Sequence, residues 1–289
     1  MSHILLNITK RIRLKIYKYL KDQTIKNEKN NNSFGDWRLN IVFLEDYECR
    51  LRRFKEGVEN ERLKYYFIDA LVDLLSSFNM TFEYSSCDTF TAKNGILIVG
   101  NPRKALTPQF IKELASNVDK GSALLVVGQG RMKPLVRKSL NDLISQWGVG
   151  FNSGVLMEEK KKMPVLTIFT GAFTNIIREL GYDEGCTLRL IETQNIAFII
   201  KNNEKEIGGI GISPPNSGRI AIVGCYWPFT NHGSSGFRRF DNGEFVYYLF
   251  KWLEGQESRF DLDFKTKLKN FSEEYDKERL KRKTLKSRK

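Results

Sequence analysis

Residues 95–131 read GILIVGNPRKALTPQFIKELASNVDKGSALLVVGQGR. Two unbroken apolar runs, 95–102 and 123–127, flank a segment that opens on Thr107-Pro108. An apolar run without alternation fits a strand buried on both faces. Thr107 is a natural N-cap and Pro108 suits the first helical position, where a missing N–H costs nothing. Strand, helix, strand predicts a parallel sheet covered on both sides. Gly128-Gln129-Gly130 then breaks the second strand abruptly. Many α/β hydrolases carry a nucleophile on such a turn, but the amide of Gln129 cannot attack a carbonyl.

Working outward, "RLNIVFLED" (38–46) reads as the first buried strand and residues 59–79 as a helix with Leu63, Tyr66, Phe67, Ala70, Leu71, Leu74 and Leu75 inward. "TFEYS" (81–85) is a short strand, and Pro134 to Trp147 a helix. Further on, 165–171 reads as a strand, 172–180 as a helix, and "TLRLIE", "IAFIIKN" and "EIGGIGIS" as consecutive strands, the last two paired across "KNNEKE". "GRIAIVGCYWPF" (218–229) is an apolar strand running into a loop, and "GEFVYYLFKWLEG" a helix capped by Asp241 or Asn242 and ended at Gly255. From Leu262 onward the pattern is helical, with Phe264, Leu268, Phe271 and Tyr275 on one side.

This order of elements resembles the glutamine-amidotransferase-like domain of gliding-motility transporter auxiliary proteins and of an intraflagellar-transport core subunit. The resemblance rests on 95–128, on "SLNDLISQWGVGFNSG" and on "GRIAIVGCYWPFTNHG" with "FDNGEFVYYLFKWL", and spans about residues 38–255. It implies a flavodoxin-like α/β fold, with a mostly parallel sheet, that serves in assemblies rather than in chemistry. Class I amidotransferases place a cysteine on the elbow and a His-x-Glu pair downstream. Here Gln129 holds the elbow position and no His-x-Glu occurs, so no catalytic residue is carried over.

The 289 residues divide into a basic amphipathic helix (1–22), a polar linker (23–36), the α/β domain (37–255) and a basic helical tail (256–289). Ile4, Ile8, Ile12, Ile16 and Leu20 form the apolar stripe of the first helix. The formal charge of +13 resides at the ends: 10–21 carries +6 and 277–289 carries +7. Polyanion binding therefore falls to Lys277, Arg279, Lys281, Arg282, Lys283, Lys286 and Arg288, together with the N-terminal helix. Membrane headgroups, nucleic acid and acidic proteins all fit, and without interleaved aromatics the nucleic-acid reading is weaker. No stretch is long and apolar enough to cross a membrane, and the first twenty residues do not follow the signal-peptide pattern. Cys49, Cys87, Cys186 and Cys225 are scattered, as in a reduced cytoplasmic protein, peripheral to a membrane if its basic ends engage one.

The loop 224–244 concentrates chemistry. Cys225 and His232, with Asp241 to orient the imidazole, compose a nucleophile-base arrangement for a cysteine hydrolase. A buried filler cysteine is the competing reading. Gln129, Arg131, Trp227, Asn231, Arg238 and Arg239 are the candidate ligand contacts, the arginines as bidentate partners for phosphate or carboxylate. Open α/β sheets bind ligands beyond the carboxyl ends of their strands, so 45–54, 128–133 and 224–244 are expected to meet there. Glu45, Asp46 and Glu48 have the oxygen chemistry of a cation site but equally suit pairing with Arg50, Arg52 and Arg53. With only His3 and His232 a multi-histidine metal site is excluded. Neither glycine turn ends in Gly-Lys-Ser/Thr, so no Walker loop is present, and no metal or cofactor is expected. The leading function is a non-catalytic protein-interaction or small-ligand-binding module of an intracellular, membrane-adjacent assembly. A hydrolase using Cys225 and His232, and a nucleic-acid-associated protein working through its ends, are the alternatives.

Overall fold

A computed structural model describes residues 39–52, 68–85, 95–156, 165–171, 176–202, 206–232, 235–256 and 261–286. The first helix, the linker and residues 59–67 of the 59–79 helix lie outside these residues. The chain runs β1 (Leu39–Leu44), α1 (Asp69–Ser76), β2 (Met80–Ser85), β3 (Ile96–Gly100), α2 (Pro108–Asp119), β4 (Ala123–Val127) and α3 (Pro134–Ile144). There follow β5 (Val149–Phe151), β6 (Val165–Gly171), β7 (Leu180–Gly181), β8 (Leu188–Leu190), β9 (Ile196–Lys201), β10 (Ile207–Ile212) and β11 (Ile220–Val223). Two helices close the chain, α4 (Asn242–Leu253) and α5 (Leu262–Lys286).

The strands line up as β2-β1-β3-β4-β11-β10-β9-β6-β7, with β5 and β8 branching from β10. The first five are mutually parallel. From β11 onward each pairing on this path is antiparallel. The parallel half has the order of a flavodoxin-type sheet, with β11 in the fifth place and a topological switch between β1 and β3. The fold is the α/β, flavodoxin-like class read from the sequence, extended by an antiparallel half.

Side-chain alternation explains the continuous apolar runs. Ile41, Phe43, Ile96, Ile98, Leu125 and Val223 face one core with α1, α4 and the start of α5, while Val42, Leu97, Val99, Leu124, Val126 and Ile222 face another with α2 and α3. Because successive residues point to opposite faces, a strand between two helical layers is apolar throughout. The N-cap of α2 is as expected: Thr107 accepts a hydrogen bond from Phe110 N at 3.3 Å. The glycine-rich β10 is a strand because Gly209 and Gly211 pair with Ile200 and Phe198, whose large side chains lie over them. Trp252 of α4 packs edge-on to Phe198 at 5.0 Å.

The expected helix at 172–180 is not formed by its described part: Ile176–Glu179 is irregular and Leu180 enters β7. The carboxylate of Asp241 decides this locally. It accepts from the backbone N–H of Arg178 (2.7 Å) and Glu179 (3.1 Å), groups that a helix would direct to its own carbonyls. Asp241 does occupy the N-cap position of α4 but makes no side-chain cap there. Asn242, fully buried, instead accepts from Gly181 N (3.0 Å) and donates to the carbonyls of Ser235 (3.2 Å) and Gly236 (3.0 Å). One side chain thus ties β7, the 235–236 turn and α4 together.

The helix from Leu262 is anchored at its beginning. Phe264 is fully buried, stacks on Tyr247 at 3.9 Å and meets Phe78 edge-on at 5.0 Å. Asp261 caps it, accepting from Phe264 N at 3.0 Å and from the hydroxyl of Tyr247 at 2.6 Å.

Candidate functional site

Parallel strands that start together also end together, so β1, β3, β4 and β11 deliver their following loops to one edge. Arg50 follows β1, Asn101 follows β3, Gln129 follows β4 and Tyr226 follows β11. The backbone ladder runs on into this edge, with Asn101 N donating to Val127 O and Gly128 N to Val223 O, both at 2.8 Å. Segments 45–52, 128–133 and 224–232 meet there. Arg50 Nη1 donates to Gln129 Oε1 and to the Tyr226 hydroxyl, each at 3.2 Å, and Asn101 Nδ2 donates to the same Gln129 oxygen at 2.9 Å.

The Gly128-Gln129-Gly130 turn after β4 is not a strained elbow. Gln129 does not have a positive φ. Gly128 and Gly130 are there for space: an added Cβ would lie 2.9 Å from the Phe151 ring and 2.7 Å from Gly154 O, respectively. Left-handed backbone at this edge falls on Tyr47 (φ 63°), Glu48 (φ 53°) and Asn101 (φ 53°); of these residue types asparagine tolerates the conformation best. Gln129 is 6% exposed and Asn101 2%, so the pair is an internal lock. The hydrogen-bond geometry orients Gln129 unambiguously, since a guanidinium only donates.

Cys225 is fully buried and its thiol donates to the carbonyl of Asp183 at 3.1 Å. Burial drives its pKa well above that of a free thiol, and the carboxylates of Asp183 and Glu184 add to the rise, opposed by a backbone bond from Trp227. A cysteine nucleophile needs the opposite, a stabilised thiolate. Cys186 is likewise pushed up to about 12 by burial. The His232 ring packs against Trp227 at 4.5 Å, and Trp227 stacks on Tyr226 at 4.5 Å. Asp241, as shown above, is bound to the 178–179 backbone. The three residues of the hydrolase reading therefore have separate occupations.

The other candidates divide. Gln129 and Trp227 belong to the edge cluster. Arg131 is exposed and stands 3.7 Å from Glu184. Asn231 is buried, with its Oδ1 accepting from Ala70 N at 3.2 Å, which pins the start of α1. Arg238 is half-buried and Arg239 exposed, on the turn before α4. Glu48 pairs with Lys104 at 2.8 Å, and that hydrogen bond and charge lower its pKa. Among the described residues no group of three or more histidine, cysteine or acidic side chains converges as a metal site. Of the tail, Lys277 is exposed at the surface of α5. Among the described residues no helix is long and apolar enough to cross a membrane.

Arg50 and Asn101 stand out only in three dimensions. The sequence places Arg50 among acids that it does not pair with, and Asn101 in an ordinary turn. A residue type tolerant of positive φ directly after a buried strand is the one local signal that Asn101 offers.

No protein-family model matches the chain, and no curated protein does. Solved structures do match. The mmIFT52 N-terminal domain superposes with a TM-score of 0.54 at 14% identity, covering 76% of this chain and all of that domain. Cytoplasmic protein STM1381 from Salmonella typhimurium LT2 covers 76% of this chain and 100% of its own at a TM-score of 0.48 and 11% identity. Alpha-L-fucosidase isoenzyme 2 from Paenibacillus thiaminolyticus also reaches 0.48, at 13% identity, across 75% of this chain and 33% of the enzyme. The first of these likenesses establishes the fold and nothing of the activity.

Proposed function

We propose that the chain is a non-catalytic binding module of an intracellular assembly, recognising a protein partner or small ligand at the carboxyl edge of its sheet. The observation that carries this reading is the condition of the two positions where a nucleophile would sit, the elbow after β4 and Cys225. The elbow residue Gln129 is locked by Asn101 and Arg50, and the Cys225 thiol is buried against a backbone carbonyl with its thiolate disfavoured. The mmIFT52 N-terminal domain shares this fold, and the fold by itself requires no catalytic site.

The test is thiol chemistry. The full chain, treated at neutral pH with iodoacetamide and mapped by peptide mass spectrometry, is expected to leave Cys225 unmodified when folded and to modify it fully in urea. Rapid stoichiometric alkylation of Cys225 in the folded protein would restore the cysteine-hydrolase reading. The basic ends give the module a second contact. Residues 277–289 carry +7, and the firm seat of Phe264 and Leu268 supports a tail that extends from a fixed base toward an anionic surface. A cytoplasmic location peripheral to a membrane belongs to the same proposal.

A further inference from the structure

At the carboxyl edge Arg50 is a cation that no carboxylate of the described residues pairs with. Arg50 is half-buried beside the switch point between β1 and β3, where sheets of this order leave room for ligands. Its partners among the described residues are neutral: Gln129 Oε1, the Tyr226 hydroxyl and the Tyr226 ring, whose centre is 5.4 Å from the guanidinium carbon. A half-buried guanidinium normally has a carboxylate or phosphate beside it, because removing charge from water is costly unless it is compensated.

The donors left over are of one kind. Both Nη1 hydrogens of Arg50 are used, one on Gln129 and one on Tyr226. The side edge formed by Nε–H and Nη2–H remains, and this is the edge that grips two oxygens of one anion. Tyr226 accepts from Arg50 and so keeps its own proton to donate. Gln129 spends its oxygen on Asn101 and Arg50, while its amide N–H groups meet no acceptor among the described residues. Burial also holds Tyr226 in its protonated, donating form. The helices α2 and α3, which begin at this same edge, carry no acid in their first turns, so their positive ends are uncompensated as well. Glu184, whose charge reaches Tyr226, stands 3.7 Å from Arg131.

The geometry points to an oxyanion site in which the side edge of Arg50, the amide nitrogen of Gln129 and the Tyr226 hydroxyl hold the phosphate or carboxylate group of a small ligand. The inference rests on the reading of this edge as a binding surface, and it names the chemistry bound there. Trp227, stacked on Tyr226, provides a fluorescence reporter.

The experiment titrates the full chain with inorganic phosphate and, separately, with succinate, in Tris-chloride at fixed ionic strength so that the basic ends stay screened. Saturable binding of either is expected, and the tighter probe identifies the ligand as phosphate- or carboxylate-bearing. Arg50→Gln is expected to weaken binding by about tenfold or more, the loss of a charge-assisted bidentate contact. Gln129→Glu is the second variant: it keeps an oxygen for Asn101 and Arg50, so folding is retained, but it neutralises the cation and is expected to abolish binding. Lys138→Gln, the same charge removal on the exposed face of α3, is expected to change affinity less than about twofold. Absence of saturation by both probes up to the order of tens of millimolar, or full affinity in folded Gln129→Glu, overturns the site. Cys225 that stays unreactive in the same preparation leaves the non-catalytic reading standing, so the two failures are distinguishable.

Discussion

Replacing Gln129 with alanine tests whether the turn after β4 is a lock. The side chain contributes one oxygen to two donors: Asn101 Nδ2 at 2.9 Å and Arg50 Nη1 at 3.2 Å. Asn101 is 2% exposed, so water cannot readily replace the lost acceptor. A buried donor left unsatisfied costs about 1–3 kcal/mol, and the lost bond itself contributes about 1 kcal/mol. The contact with Arg50 adds little, because that residue is half-exposed and can rehydrate. The expected destabilisation is about 2–4 kcal/mol, which for a domain of this size lowers Tm by roughly 5–10 °C. Urea unfolding followed by far-UV circular dichroism measures it. The double variant Asn101→Ala/Gln129→Ala separates the lock from simple loss of packing: with both partners gone, the second substitution is expected to cost about 1 kcal/mol less than it does alone. A Gln129→Ala protein within about 0.5 kcal/mol of the parent, or strict additivity in the pair, would refute the lock.

Asn242→Ala removes three buried hydrogen bonds at once and is expected to cost about 3–5 kcal/mol, read in the same urea titration. For Asp261, burial alone would raise the pKa, but the hydrogen bonds from Tyr247 and Phe264 N and the charge of Lys251 outweigh it and leave the value lowered. A lowered native pKa stabilises the fold above the ordinary value of 3.8, and that stability is lost as the pH falls through the native value. The stability difference between parent and Asp261→Asn is therefore expected to shrink below that pH, and a constant difference would contradict the cap. Deleting 277–289 is expected to leave Tm within about 2 °C, since the buried anchors precede the cut, and to remove most affinity for heparin or anionic vesicles along with its steep salt dependence. Retained affinity and salt slope would locate polyanion binding elsewhere.

The sequence by itself determined the layers. Apolar runs at 95–102 and 123–127 are long enough only for strands and continuous only because both faces are covered, and Thr107-Pro108 fixes the start of α2 through backbone chemistry that needs no distant partner. The hairpin of β9 and β10 and the helix at 242–253 are legible for the same reason. The pairing of β11 with β4, sequence neighbours of neither, brings Tyr226 to Arg50 across 176 positions, and no local pattern encodes a contact at that separation. The helical pattern at 176–180 yields to Asp241, a carboxylate over sixty residues away that captures two of its N–H groups. Cys225 and His232 are near in sequence and carry the right chemistry for a nucleophile and base, yet the tertiary fold sends the thiol to the Asp183 carbonyl and the imidazole to Trp227. Residue type sets what a side chain is able to do; burial and the partner it meets, both products of long-range packing, decide which of those things it does.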